Sequence, residues 1–295
     1  MLLSTQTLLL ARELSYKESL NIIKQAGFDA YDITLMDMHN DPRNDIFAKD
    51  DYREVAKELR IYADNLGIVC NQAHAPFRGE VYNEDEEKRL DADTIKAIEI
   101  AAILGAKIVV VHPKQYLRYP DHVEELFELN MNYFKGLIPY AKKNNIKIAI
   151  ENMYQCNNNA GVPSDSTCSR AKEFCKYLDT LNSEWIVGCL DIGHVSLIKE
   201  NIVQFIKAMG NKRLQALHVH DTNFVKDCHT LPFTEKIDYI EVAKALGEID
   251  YQGDFTYEAD VFYIGKPKEL YGATAKYMCE VGRFLVDKIE ENRKK

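Results

Sequence analysis

The chain has 295 residues, of which 46% are hydrophobic and 28% charged. That is enough apolar material for a large core and excludes a disordered chain. The formal charge of −9 opposes non-specific attraction to nucleic acid, whose binding needs basic surface to displace counterions.

Eight short, β-rich apolar runs follow one another, each succeeded by a segment of helical periodicity. In chain order the predicted pairs begin with Leu2–Leu9 and Tyr16–Ala26, Phe28–Leu35 and Tyr52–Leu66, then Ile68–Ala73 and Glu84–Leu104. Lys107–His112 and His122–Asn144, Lys147–Glu151 and Ala171–Leu181, and Ile186–Asp191 and Ile202–Met209 come next. Leu214–His218 with Ile237–Leu246 and Phe255–Glu258 with Pro267–Glu291 complete the series. Ser15 followed by Glu18 reads as a capping box, and Gly27, Gly67, Gly105 and Gly253 fall where helices stop and strands begin. Ile108 to Val111 is apolar throughout, as befits a strand covered on both faces. The pattern predicts an α/β fold, a single (β/α)8 TIM barrel occupying residues 1–295 as one domain. The polar stretch Asn157–Cys168 is too long for a tight turn and is expected to lie over the barrel mouth as a lid or substrate-binding loop.

No segment approaches the roughly 18 consecutive apolar residues that a membrane helix needs, and none resembles a signal peptide. The expectation is a cytoplasmic protein beginning at Met1, without a membrane partner. The seven cysteines, Cys70, Cys156, Cys168, Cys175, Cys189, Cys228 and Cys279, contain no CxxC pair. They are expected to be reduced thiols, several of them buried.

Catalytic residues of such barrels come from the C-terminal strand ends. Here these ends read Ala73-His74-Ala75-Pro76, Val111-His112-Pro113, Ile150-Glu151-Asn152, Asp191-Ile192-Gly193-His194, His218-Val219-His220-Asp221 and Tyr257-Glu258-Ala259-Asp260. Asp227-Cys228-His229 follows strand seven. Six of the eight histidines, all but His39 and His122, thus lie at or just beyond a predicted strand end. One His or Asp in such a place is as often a cap for the next helix, but the combination points to metal. Imidazole and carboxylate suit Mn, Zn, Fe or Co. Without a cation, Glu151, Asp191 and Glu258 would crowd like charges.

His220 can stand beside His218 or behind the ligands, and the second placement is the expectation. Asp221 and Asp260 are read as orienters of neighbouring ligands. Asn152 either points its amide at substrate or ties down its loop. Phe77, Tyr154, Phe224 and Phe262 could pack on a sugar face or simply close the barrel. Arg78 and Lys114 could hold a phosphate or sugar hydroxyls, although a solvated surface role is the plainer reading. Trp185 precedes strand six at the opposite end and reads as structural.

These strand ends resemble the xylose-isomerase-like barrel superfamily, which includes sugar-phosphate isomerases and epimerases and the endonuclease IV repair enzymes. The resemblance to ketose 3-epimerases implies one divalent metal held by Glu151, Asp191, His218 and Glu258, with His194 touching a substrate oxygen. The resemblance to endonuclease IV implies a larger metal set of His74, His112, Glu151, Asp191, His194, His218, Asp227, His229 and Glu258. The acidic charge, the absence of that family's Asn-Asp-Ser-Lys loop, and the run His229-Thr230-Leu231-Pro232, Ile237-Asp238, Tyr251-Gln252-Gly253 favour the small-molecule branch. The chain departs from that branch at Phe224, where ketose epimerases carry Arg, and at Phe233 and Glu235, where glycines are usual.

The function expected is therefore a divalent-metal-dependent (Mn, Zn, Co or Mg) isomerase or epimerase of a small sugar or sugar phosphate. Glu151 and Glu258 would pass a proton through an enediolate and His194 would position a substrate oxygen. Alternatives are an endonuclease IV-like phosphodiesterase acting on abasic DNA, a dehydratase of a polyol ketone, and a scaffold or sensor without turnover. Homo-oligomerisation is compatible with all of them.

Overall fold

Strands that are apolar at nearly every position must be covered on both faces, and this chain meets that demand by closing them on themselves inside a ring of helices. The computed structural model describes residues 1–36, 38, 45–77, 83–157 and 161–293. Its parallel strands are β1 (Leu3–Gln6), β2 (Ala30–Thr34), β3 (Val69–His74), β4 (Ile108–Val111), β5 (Lys147–Glu151), β6 (Ile186–Asp191), β7 (Leu214–His218) and β8 (Phe255–Tyr257). They pair in the order β8-β1-β2-β3-β4-β5-β6-β7. The last gap is spanned by a parallel bridge between Val219 and Tyr257, with Val219 N–H donating to the Thr256 carbonyl at 3.0 Å and Glu258 N–H to the Val219 carbonyl at 3.1 Å. The predicted barrel is the fold observed.

The helices after successive strands are Tyr16–Ala26, Tyr52–Leu66, Glu84–Leu104, Val123–Asn144, Ala171–Leu181, Ile202–Arg213, Tyr239–Glu248 and Tyr271–Glu291. Ser15 caps the first of them by accepting from Glu18 N–H, and Gly27, Gly67 and Gly105 end three of them in the left-handed conformation. The first predicted strand was too long. Backbone bonding to β2 lasts only to Thr7, whose N–H reaches the Asp32 carbonyl, and its own carbonyl then accepts from Ala11 N–H to open the short helix Leu8–Glu13. The sixth helix, in contrast, runs on past Met209 to Arg213 across a kink at Gly210. The last begins four residues later than Pro267, after a 3-10 turn over Lys268–Leu270.

Alternation along the strands sorts their residues into two cores. Val109, Val111, Ile148, Ile150, Leu190 and Leu217 join the large core between strands and helices. Val110, Ala149, Val187, Cys189 and Ala216 form a small separate core on the barrel axis. This parity decides the site, because Glu151, Asp191 and His218 continue the axial series two residues beyond Ala149, Cys189 and Ala216.

The expected lid segment Asn157–Cys168 supplies the second strand, Val162–Asp165, of an antiparallel pair whose first strand, Tyr154–Asn157, precedes it. The pair docks through Gln155, whose Nε2 donates to the Gln115 and Leu117 carbonyls at 2.7 and 2.9 Å. All seven cysteines are free thiols, with Cys70, Cys168, Cys189 and Cys279 buried. Among the described residues no helix is long and apolar enough to cross a membrane.

Candidate metal centre

Two groups of donor atoms gather at the C-terminal mouth. In the first, Glu151, Asp191, His218 and Glu258 are all buried and offer ligand atoms within 4.8 Å of one another. Register places Asp191 and His218 side by side on β6 and β7. His218 Nδ1 lies 3.0 Å from Glu151 Oε1 and 3.1 Å from Glu258 Oε2. His74 and His112 flank this group, with their Nε2 atoms 3.4 and 3.0 Å from Glu151 Oε2 and 3.1 Å from each other.

The second group is richer in nitrogen: His194, His220, Asp227 and His229 also offer atoms within 4.8 Å of one another. Asp227 Oδ2 is 3.0 Å from His229 Nε2 and 3.5 Å from His194 Nε2. The His220 and His229 rings stack with centroids 4.1 Å apart and planes 6° from parallel. His220 Nε2 contacts both oxygens of Asp191, at 3.1 and 3.0 Å, so Asp191 joins the two groups.

Backbone carbonyls fix how the imidazoles face. A carbonyl only accepts, so the Nδ1–H of His74 donates to Ala75 O at 2.7 Å, that of His194 to Asn152 O at 2.9 Å, and that of His229 to Glu258 O at 3.0 Å. Each bond leaves Nε2 turned toward the mouth, which is how metal-binding histidines are commonly oriented.

The electrostatics are those of crowded opposite charges. Burial raises the Glu151 and Glu258 carboxyls, yet the neighbouring imidazoles prevail and hold both well below the ordinary carboxylate range. Asp227 is likewise lowered by His194 and His229 against its burial. Burial lowers His194, but Asp191 and Asp227 outweigh it and raise the ring to about 10. For His112 burial wins and the pKa falls. Protonated imidazoles therefore balance the carboxylates when no cation is bound.

The residues fit a divalent cation. His218 Nε2, His220 Nδ1 and Asp227 Oδ1 are buried without a hydrogen-bond partner, a costly arrangement unless something else engages this cluster. The facing His74 and His112 nitrogens need either a proton or a cation between them. Three carboxylates with one imidazole, and three imidazoles with one carboxylate, are donor sets suited to Mn, Zn, Fe or Co.

Other expected site residues are distributed unevenly. Phe77 is 44% exposed and its ring meets His112 edge-on at 5.5 Å. Tyr154 packs 5.0 Å from His194 and donates its hydroxyl to Asp227 Oδ2 at 3.2 Å. Phe224 is 38% exposed, with a left-handed φ of 67°. Phe233, standing where the family resemblance expects glycine, has a φ of 71° and packs on Tyr239 and Phe284.

Asn152 fills the loop-tying role. Its amide donates to the Asp191 carbonyl at 3.0 Å and accepts from Asp191 N–H at 2.8 Å, so it ties down the β6 end. Lys114 is neither on the surface nor free for phosphate: it is buried and its Nζ lies 2.5 Å from Glu87 and 3.3 Å from Asp91. Asp221 orients no ligand directly. Its oxygens accept from Thr222, Glu235 and Ile237 N–H and so shape the loop that carries Asp227 and His229. Asp260 accepts from Gln6 Nε2. His122 pairs with Glu125 away from the cluster, and Trp185 precedes β6 at the opposite end. Arg78 and His39 lie outside the described residues.

The fully buried His220 contacts both oxygens of Asp191, as a residue behind the ligands would, and also offers a donor atom within the second group. One residue was missed. Asp32, a carboxylate inside the apolar run Tyr31-Asp32-Ile33, sits 3.8 Å beneath His218 Nε2 and accepts from Gln72 Nε2 at 3.0 Å.

The sequence profile of a family described as xylose isomerase-like TIM barrel matches residues 20–281. A protein of Escherichia coli (strain K12) provisionally named L-ribulose-5-phosphate 3-epimerase SgbU is 24% identical over 260 residues, covering 84% of this chain and 85% of its own. Among solved structures, a D-tagatose 3-epimerase-like protein superposes with a TM-score of 0.75 at 21% identity over 99% of both chains. The IOLI protein with a bound zinc atom superposes with a TM-score of 0.72 at 20% identity over 100% of both.

Proposed function

The chain belongs to the xylose isomerase-like TIM-barrel family, and on that premise we propose that it is a divalent-metal-dependent isomerase or epimerase of a sugar or sugar phosphate. The observation that carries this reading is the pair Glu151 and Glu258, from strands far apart in sequence, converging on Nδ1 of His218 at 3.0 and 3.1 Å. Glu151, Asp191, His218 and Glu258 would hold the cation. Bound there, a divalent ion supplies Lewis acidity to a carbonyl and its neighbouring hydroxyl, making the adjacent carbon acidic.

The protein's own groups do the rest. One of Glu151 and Glu258 removes the proton beside the carbonyl and the other returns it, on the opposite face for epimerisation or at the neighbouring carbon for isomerisation. His194, its Nδ1–H fixed on Asn152 O, directs Nε2 at a substrate oxygen. Phe77, Tyr154 and Phe224 line the approach, and closure of such a mouth would exclude water from the enediolate. SgbU and the D-tagatose 3-epimerase-like protein bear names consistent with this chemistry, and zinc in the IOLI protein is consistent with a metal.

A second reading has its own support. His74, His112, His194 and His229 add nitrogen donors, and Asp227 a carboxylate, beyond what one metal needs, and a multinuclear site can hydrolyse phosphodiesters. The test is to incubate metal-loaded protein with ketoses and ketose phosphates in deuterated water. Deuterium at the carbon beside the carbonyl supports proton transfer. Its absence across the panel defeats it.

A further inference from the structure

At the end of the barrel opposite the metal centre lies a cavity of about 350 Å³, bordered by the N-terminal halves of β3, β4 and β7 and by the chain leading into β8. Two of these strands break their regular alternation there. On β3, Cys70 pairs with Tyr31 and Gln72 with Asp32, so Asn71 is an extra residue with no partner on β2. On β7, Leu214 pairs with Gly188 and Ala216 with Cys189, so Gln215 is extra in the same way. Neighbouring residues of a regular strand face opposite ways, whereas a bulge re-aims a side chain. As a result Asn71 and Gln72 both line the cavity, and so do Leu214 and Gln215.

The carboxamides of the wall are oriented by what their nitrogens touch. Asn71 Nδ2 donates to Asp254 Oδ2 at 3.1 Å, Gln215 Nε2 to the Lys212 carbonyl at 3.0 Å, and Gln252 Nε2 to the Asp250 carbonyl at 3.1 Å. Carbonyls and carboxylates only accept, so in each case the nitrogen is turned to the protein and the oxygen is the end left for another donor. The Gln215 oxygen takes the Lys147 ammonium at 2.7 Å. The Asn71 oxygen is buried with no hydrogen-bond partner, on a side chain only 8% exposed. Such an atom calls for a donor from elsewhere.

Two opposite charges complete the wall. Asp254 accepts from Leu2 N–H at 3.0 Å as well as from Asn71, and has no cationic partner among the described residues. Lys107 borders the same cavity and has no carboxylate partner among them. Ile108 and Leu214 add apolar surface.

We propose that this cavity is a second ligand site, built for a neutral polyhydroxy compound. The Asn71 oxygen and the Asp254 carboxylate take hydroxyl hydrogens, and the Lys107 ammonium meets a hydroxyl oxygen. A hydroxyl both donates and accepts, so a run of them meets both demands without adding charge. An ammonium ligand would face Lys107, and a phosphate would face Asp254. Ile108 and Leu214 fit the C–H surface between hydroxyls. At roughly 30 Å³ per water the space holds about a dozen waters, roughly the heavy-atom count of a six-carbon polyol. Gln72 stands between this site and the metal centre, since its Nε2 donates to Asp32 Oδ2 at 3.0 Å and Asp32 lies 3.8 Å from His218 Nε2. The two sites open at opposite ends of the barrel, and the assignment does not depend on the isomerase reading.

Titration calorimetry of the full-length protein with xylitol, mannitol and sorbitol tests this, because these probes have no carbonyl to be turned over. At least one should bind at one per chain with a Kd below about 1 mM, and glycerol phosphate and putrescine should bind at least about tenfold more weakly. Asn71→Leu should remove the binding. Lys107→Met should weaken it about tenfold, the scale of one lost hydrogen bond to a charged group. Glu258→Gln, at the other end of the barrel, should leave it unchanged. Circular dichroism checks that each variant is folded, and the exposed Lys107 position decides the matter if Asn71→Leu does not fold. The proposal is overturned if no polyol reaches that affinity, or if binding is unchanged in folded Asn71→Leu or in Lys107→Met. Loss of binding in Glu258→Gln would place the polyol at the metal centre and overturn it too. A charged control that binds as tightly as the polyols overturns the assignment to a neutral ligand.

Discussion

The two donor groups share one barrel mouth but are built differently. The oxygen-rich group stands on or just beyond the ends of β5, β6, β7 and β8, and is 5% exposed at most. Its geometry is set by strand register, so it exists once the barrel closes. The nitrogen-rich group draws Asp227 and His229 from a loop, where their side chains are 18% and 23% exposed. That loop holds Phe224, His229 and Phe233 in the left-handed region, which disfavours residues with a Cβ, and it depends on Asp221 for three of its backbone N–H bonds. A rigid ladder thus places the groups proposed to touch substrate, while a strained loop needs an anchor.

The comparison breaks first at the glutamates. Glu151→Gln and Glu258→Gln should each abolish proton exchange, with a loss of about 10²–10⁴-fold from the proton carrier alone. Metal content measured on both variants separates that loss from loss of the ion. Retention of more than a tenth of the exchange rate with metal bound would remove either residue from the proposed role.

Next in size is the base of the hairpin that leads into the mouth. Burial holds Glu173 up to about 7 from an ordinary 4.5, although it accepts bonds from Tyr119 and from Cys168 N–H. Between those two values the folded chain keeps a proton that the unfolded chain releases. This contribution to stability is therefore complete below 4.5, declines as pH rises toward about 7, and is flat above it, a span of up to about 3 kcal/mol. Denaturant unfolding from pH 4.5 to 8 should show this decline in wild type and a shallower one in Glu173→Gln.

Gly193→Ala should cost less in stability, about 1–3 kcal/mol for overpacking a buried ring. It sharpens the comparison because the nearest atoms that such a Cβ would meet belong to His220. Zinc affinity at the nitrogen-rich group should fall about 10–100-fold, as expected when a ligand's support is disturbed. Manganese uptake at the oxygen-rich group should change less. Equal losses at both would mean that the groups form one unit.

The same contrast explains what the sequence disclosed. The barrel and the oxygen-rich group were legible because strand alternation repeats: Ala149 and Glu151, Cys189 and Asp191, and Ala216 and His218 each lie two residues apart on the axial face. His220 lies past the last strand residue, where the ladder no longer fixes the backbone, so alternation alone leaves open whether it stands beside His218 or behind the ligands. Lys114 and Asn152 were harder to read because their partners, Glu87 and Asp91 for one and the Asp191 backbone for the other, are distant in sequence. Hydrophobic periodicity carries no information about such pairings. The short first strand escaped notice for a related reason, since Leu8 to Leu10 are as apolar in a helix as in a strand.

The central claim is that the oxygen-rich group moves a proton beside a carbonyl. It is tested most directly by one metal-loaded preparation of wild-type protein divided between two assays, deuterium incorporation into ketoses and ketose phosphates followed by NMR, and nicking of a duplex containing an abasic site. The account predicts deuterium at the carbon adjacent to the carbonyl of at least one sugar and intact DNA. Nicked DNA with no exchange on any sugar would contradict it and assign the site to phosphodiester hydrolysis.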